Sequence, residues 1–169
     1  MEIRKAQQAD LSSILSIVAD GVLSLKKQGL PQWQNGFSPQ KEQIETDIQR
    51  EESYVLINDE AVVGTAALVS GIDPVYAAIQ NGSWEGSDNY LSIHRFAIAS
   101  HTVGKGYGKA FLELLVNQAI ALGVKDIRID THNGNIGMQR TIEKAGFSYR
   151  GIVKFPIPDG ERKAYQWIK

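Results

Sequence analysis

The chain has 169 residues, 43% hydrophobic and 22% charged, enough apolar material to bury a core without metal or disulfide support and too much for wholesale disorder. Eighteen Lys and Arg against nineteen Asp and Glu leave a formal net charge of -1, a balance that argues against a nucleic-acid partner held by counterion release. The absence of Cys removes disulfide scaffolds, zinc ribbons and cysteine nucleophiles together, so no metal site is expected.

Residues 2–6 read as a short strand, and Asp10 is placed to cap a helix with apolar residues at Leu11, Ile14, Leu15, Val18, Val22 and Leu25. A loop carrying Trp33 follows, and Ser38-Pro39 predicts the start of a second helix running to about Glu51. Two β-rich runs at 53–57 and 61–69, separated by Asn58-Asp59-Glu60, predict a hairpin. The turn-rich stretch 70–89 reads as a long connection with a helical turn at 75–80 after Pro74. Strand alternation over 91–98 puts Ser92, His94, Phe96 and Ile98 on one face, with Arg95 on the other. A glycine-rich turn leads into a helix with Phe111, Leu115, Ala119 and Leu122 on its apolar stripe, ended by Gly123. A strand at 124–130, a helix at 135–145 and strands at 147–153 and 162–168 complete the order. No signal-peptide pattern and no run of about 18 apolar residues appears, so the expectation is one cytoplasmic domain over 1–169 with no membrane partner.

The segment Val103-Gly104-Lys105-Gly106-Tyr107-Gly108-Lys109 carries the chemistry most clearly. Alternate glycines let backbone amides converge on an anion, and the helix that starts there adds its positive end, so a phosphate or pyrophosphate is the natural ligand. A bare tight turn is the plain alternative. Gly108-Lys109 is followed by Ala110, which has no hydroxyl for Mg²⁺, so a nucleoside-triphosphate loop is excluded. A dinucleotide oxidoreductase would need further βαβ units that the upstream hairpin and the short remainder after Asp130 do not supply.

These residues resemble the GNAT superfamily of N-acetyltransferases. The acetyl-CoA signature of that family, Gln/Arg-x-x-Gly-x-Gly/Ala opening a helix, is matched by Gly106 and Gly108, with Val103 at the first position. A second motif, Asn-x-x-Ala-x-x-Leu/Phe-Tyr-x-x-x-Gly-Phe, is matched by Asn135, Gly146 and Phe147, with Met138 in place of Ala and Ile142 in place of Tyr. Gln32-Trp33, Ile93-His94-Arg95 and Asp130-Thr131-His132 are similar to a small bacterial subgroup of unassigned substrate.

The resemblance implies a mixed α/β fold: a twisted, mostly antiparallel sheet with one splayed parallel strand pair and helices on both faces. It implies acetyl-CoA as cosubstrate, its pantetheine arm paired with the backbone of Phe96, Ala97 and Ile98. The amides of Val103, Gly104, Lys105, Gly106, Tyr107, Gly108 and Lys109 would hold the pyrophosphate. Asn135 reads equally as a partner for the arm or as a helix cap. A small-molecule, amino-acid or peptide amine would attack the thioester directly in a ternary complex. His94 is the leading proton acceptor, since an imidazole titrates near ~6.5; a packed strand histidine is its plain alternative. His132 is the second candidate, and His101 reads as solvated. Trp33 and Trp84 are candidates to wall the acceptor pocket. Family members often form homodimers. A non-catalytic CoA-binding sensor stays open, because Val103 and Ile142 depart from the family pattern.

Overall fold

A computed structural model describes all 169 residues. In chain order the elements are β1 (Glu2–Lys5), α1 (Leu11–Lys27), α2 (Lys41–Gln49), β2 (Ser53–Asn58), β3 (Ala61–Ser70), α3 (Pro74–Ala77), β4 (Leu91–Ile98), α4 (Tyr107–Ala121), β5 (Asp126–His132), α5 (Ile136–Lys144), β6 (Ser148–Lys154) and β7 (Glu161–Ile168). The strands form one seven-stranded sheet in the order β1-β2-β3-β4-β5-β7-β6. Every neighbouring pair is antiparallel except β4 and β5, which run parallel over Leu91–Ile127, Ser92–Arg128 and Ile93–Ile129. The expected mixed α/β architecture is what the chain adopts.

Helices cover both faces. The stripe Phe111, Leu112, Leu115 and Ala119 of α4 is fully buried and meets Leu56, Leu68, Ile93, Ile127 and Ile129 of the sheet in the main core. On the opposite face Leu11, Ile14 and Val18 of α1 and Ile44 of α2 pack with Val55 in a second cluster. By length and composition the helical stretch Gln8–Lys27 would pass as a membrane span, which the sequence reading missed. Its apolar residues supply this second cluster, which accounts for the composition without a bilayer.

Several local expectations are corrected. The Asp10 carboxylate does not cap α1; it accepts from Arg4 Nη1 at 2.7 Å and Nη2 at 2.9 Å and from the Gln7 amide at 2.7 Å, because that charge is worth more against a guanidinium than at a helix end. The second helix begins at Lys41 behind Gln40, so Ser38 lies outside it, and it ends at Gln49. Leu122 lies past the end of α4 and is exposed, while Gly123 terminates the helix with a φ of 83°.

Strand β4 departs most from simple alternation. Thr65 pairs with Ala97 and Ala67 with His94, so Ala66 opposes two residues, Arg95 and Phe96. Arg95 is the extra residue, with a φ of 55°. Ser92 and His94 therefore share a face as expected, but Phe96 and Ile98 turn to the α4 side, where Phe96 meets Phe111 at a centroid distance of 5.2 Å. Arg95, expected on the opposite face, instead lies on the α1–α2 side with His94, because the bulge interrupts alternation there, and it forks onto Asp47 at 2.7 and 2.9 Å.

Phe111 also lies 3.1 Å from where a side chain on Gly64 would begin, so it fills the space beneath both β3 and β4. Phe111→Ala is expected to cost about 3–5 kcal/mol, read as a lower denaturant midpoint with unchanged m-value.

Candidate active site

Pairing between β4 and β5 stops at Ile93–Ile129, and beyond it the two strands diverge. The Ala99 amide donates to Val63 at 2.8 Å, so Ala97, in step with Ala99, presents its peptide groups to β3. Ile98, one residue out of step, presents its own to the opening. Of the three residues expected to contact an extended arm, Ala97 thus has its backbone committed elsewhere. A cleft of about 1070 Å³ occupies the divergence.

At one end of the cleft are Ile98, Val103, Gly108, Asn135, Gly137, Met138 and Thr141. Gly104 and Gly106 adopt φ of 78° and 81°, a left-handed conformation that a side chain would strain, and a Cβ on either would point into open space. The amides of Gly104, Gly106, Tyr107, Gly108 and Lys109 donate to no carbonyl in the chain. Five free donors at the start of a 15-residue helix suit an anion. Val103 is 62% exposed and brings no polar group. Lys109 is engaged with Glu113 at 2.5 Å. Asn135 caps α5, its Oδ1 accepting from the Met138 amide at 3.2 Å, and its Nδ2 donates to Gln32 Oε1 at 3.3 Å. That second bond ties the Trp33 loop to α5.

The other end holds Trp33, Phe37, His94, Asp130, Arg162, Phe155 and Ile157. Trp33 has a φ of 61°, and its ring lies 3.0 Å from where a Gly21 side chain would begin, so the α1 glycine makes room for the indole. The half-buried His94 ring places Nε2 at 3.1 Å from Asp73 Oδ2. Asp73 is itself fixed: its Oδ1 caps α3 through the Val75 amide at 2.9 Å, and its own amide donates to Tyr90 Oη at 2.7 Å. The His94 hydrogen bond holds the Asp73 carboxyl below the ordinary range, against burial. On the neighbouring strand Asp130 accepts from the buried Tyr76 hydroxyl at 2.6 Å. Burial pushes the Asp130 carboxyl up, opposed by His94, Tyr76 and Arg162, and burial pushes the Tyr76 hydroxyl well above its usual range.

Trp84 does not line the cleft. Its Nε1 donates to the Tyr76 carbonyl at 2.7 Å, and the Arg128 guanidinium stacks 4.6 Å from its ring, so it anchors the 71–90 connection against the sheet. His132 is also outside the cleft lining, its Nδ1 accepting from the Gly134 amide at 3.0 Å. His101 is exposed. The sequence reading missed Asp73 and Tyr76, which lie in a stretch that looks like loop, and Arg162 near a hairpin. It also missed Thr131, a buried cleft-lining residue whose hydroxyl has no partner in the chain. Only the preceding Asp-Pro, a helix-start signal, pointed to Asp73. No group of three or more His, Asp and Glu side chains is arranged to hold a metal ion.

A family model described as the acetyltransferase (GNAT) family matches residues 23–147. A crystal structure of a GNAT-family acetyltransferase from Streptococcus agalactiae 2603 superposes with a TM-score of 0.91 and 34% identity, covering 99% of this chain and 95% of that one. The chain belongs to the acetyltransferase (GNAT) family, as the glycine turn and the Asn135 motif implied. An aminoglycoside acetyltransferase crystallised with coenzyme A has the same fold, at a TM-score of 0.71 and 20% identity over 99% of this chain and 94% of that one. A ribosomal-protein-alanine N-acetyltransferase from Haemophilus ducreyi is 28% identical over 74 residues, 43% of this chain. The matched stretch spans 51%, about half, of that curated relative's length.

Burial first, and then the Arg162 guanidinium, hold His132 below the ordinary imidazole range. The folded chain then binds fewer protons there than the unfolded chain, so stability is lost as pH falls from about 6.5. Asp130 acts with the opposite sign, which the difference between variant and parent removes. Denaturant midpoints of His132→Gln are expected to fall less than those of the parent between about pH 6.5 and 5; identical slopes would contradict this.

Proposed function

We propose that the protein transfers an acetyl group from acetyl-CoA to a primary amine by direct attack while both are bound. The observation that carries this reading is the cleft at the β4–β5 divergence, with five free amides at one end and the Asp73-bound His94 ring at the other. Acetyl-CoA supplies the thioester. The free amides of Gly104, Gly106, Tyr107, Gly108 and Lys109 hold its phosphates, those of Val103 and Lys105 being committed to the Ser100 and Thr102 carbonyls at 3.3 and 3.2 Å, and the peptide groups of Ile98 pair with its arm. Asn135 serves first as a cap.

An alkylammonium with a pKa of about 10.4 has no lone pair at neutral pH, so the amine must lose a proton. With Asp73 accepting the Nε2 proton of His94, the Nδ1 lone pair is the base. His94 takes the first proton from the ammonium and passes it to solvent; the neutral amine nitrogen then bonds to the acetyl carbon, the carbon–sulfur bond breaks, the thiolate leaves and the second nitrogen proton passes to His94. Ile142, where the family often has Tyr, is fully buried in the main core and offers no proton. The unpaired Thr131 hydroxyl is the donor available to charge developing on the thioester. With no Cys present, no cysteinyl intermediate forms.

Calorimetry should show saturable binding of acetyl-CoA and none of NADH, and thiol release with an amine panel should give intersecting initial-rate patterns. Acetyl-CoA binding without turnover of any amine would favour the sensor reading, and parallel patterns would overturn direct attack. His94→Gln is expected to lower kcat/KM by about 10²–10⁴ at pH 7, with a smaller deficit above pH 10, where the amine is already neutral. Thr131→Val is expected to lower kcat by about tenfold or more with acetyl-CoA affinity unchanged.

A further inference from the structure

Arg162 stands apart among the buried arginines. It is 6% exposed and lines the cleft from β7, opposite His132 of β5. Its Nη1 donates to the main-chain carbonyls of Asp159 at 2.5 Å and Glu161 at 3.0 Å, and Nε and Nη2 donate to nothing in the chain. It forms no ion pair, whereas buried or half-buried Arg128, Arg95 and Arg150 are paired with Asp126, Asp47 and Glu85. Asp130, two residues along β5 from the strand partner of Arg162, is already bound by Tyr76. Holding a largely buried guanidinium without a charged partner is costly, and its free Nε–Nη2 edge, open to the cleft, matches a carboxylate.

We infer that the acceptor is a free amino-acid-type molecule whose carboxylate pairs with the Arg162 guanidinium while its amine faces His94. The inference rests on the transferase reading above. Three adjacent strands set the span: His94 on β4, Asp130 on β5 and Arg162 on β7. Neighbouring strands lie about 4.8 Å apart, so the side chains that lean into the cleft leave a gap of only a few bonds between amine and anion. Asp130 sits between the two ends. Its carboxyl oxygens can accept from an incoming ammonium and offer no donor to a phosphate monoester, which suits a zwitterion. Phe155 lies beneath the guanidinium at 5.9 Å and, with Ile157, walls this end against water.

The test compares the twenty L-amino acids, β-alanine and γ-aminobutyrate with their carboxamides and with aminoethyl phosphate, in a thiol-release assay at fixed acetyl-CoA. At least one amino acid is expected to exceed its own carboxamide by tenfold or more in kcat/KM, the difference lying in KM. In Arg162→Gln that ratio should fall to about one, and in Arg162→Lys it should be partly retained. A carboxamide or aminoethyl phosphate turned over as well as the best amino acid would overturn the inference, as would an unchanged ratio in Arg162→Gln. Should no amine turn over, calorimetry with CoA and the corresponding N-acetylated amino acids decides the carboxylate site alone. Those acids should bind at least tenfold more tightly than their amides, and equal or absent binding would overturn the inference. Because acetyl-CoA binding is measured separately, a failure of the carboxylate site is distinguishable from a failure of the transferase reading.

Discussion

The bulge at Arg95 is the constraint on which the site depends. Strand β4 must pair with β3 along its whole length and with β5 along only its first three residues. One extra residue, held at a φ of 55°, turns the alternation over midway. A left-handed residue with a side chain costs roughly 1–2 kcal/mol, and here the Arg95–Asp47 fork from α2 holds it in place. The consequence is a division of labour along one strand. His94 stays with the acidic groups on the α1–α2 face, while Phe96 and Ile98 pass to the α4 face, Phe96 against Phe111 and Ile98 beside Gly108.

Beneath the cleft lies a polar layer whose members are each held by another part of the chain. Asp73 takes His94 and caps α3, and Tyr76 of the same short helix takes Asp130. The 71–90 connection that carries α3 is itself bolted to the sheet. Trp84 bonds the Tyr76 carbonyl, Gln166 exchanges two hydrogen bonds with Glu85 at 2.8 and 3.0 Å, and Arg128 reaches the Ser87 carbonyl at 3.0 Å. A histidine oriented by a carboxylate that is oriented in turn by a helix has little freedom, which is what proton transfer at a fixed geometry requires.

Buried polar groups in folded chains are normally satisfied, so the exceptions mark places where something from outside belongs. Of the side-chain exceptions those of Ser92, Asn133 and Arg150 lie elsewhere, while the Thr131 hydroxyl lies in the cleft, which also holds the unpaired amides of Gly104, Gly106, Tyr107, Gly108 and Lys109 and the Nε and Nη2 groups of Arg162. Their chemistry is ordered along its length, with anion donors at each end and the His94–Asp130 pair between. That order fits two ligands meeting end to end, one bringing phosphates and a thioester, the other an amine.

The order of elements, the hairpin, the parallel unit around the glycine turn and the family itself were legible in the sequence, because each depends on neighbours close along the chain. Apolar periodicity, glycines that need a positive φ, and a helix start just after them are local signals. So is the pairing of Ser92 with His94 on one face, which holds up to the residue where alternation fails. The bulge was illegible, because nothing in Ile93-His94-Arg95-Phe96 announces that Asp47, 48 positions away, will hold a left-handed arginine. Asp73 looked like a turn residue and Trp84 like a pocket wall until the fold brought one to His94 and set the other on Arg128. The sequence by itself determined the kind of fold and where an anion could sit. The partners of His94, Asp130 and Arg162, and with them the character of the acceptor end, were decided by tertiary structure, because hydrogen bonding and burial depend on which distant strands become neighbours.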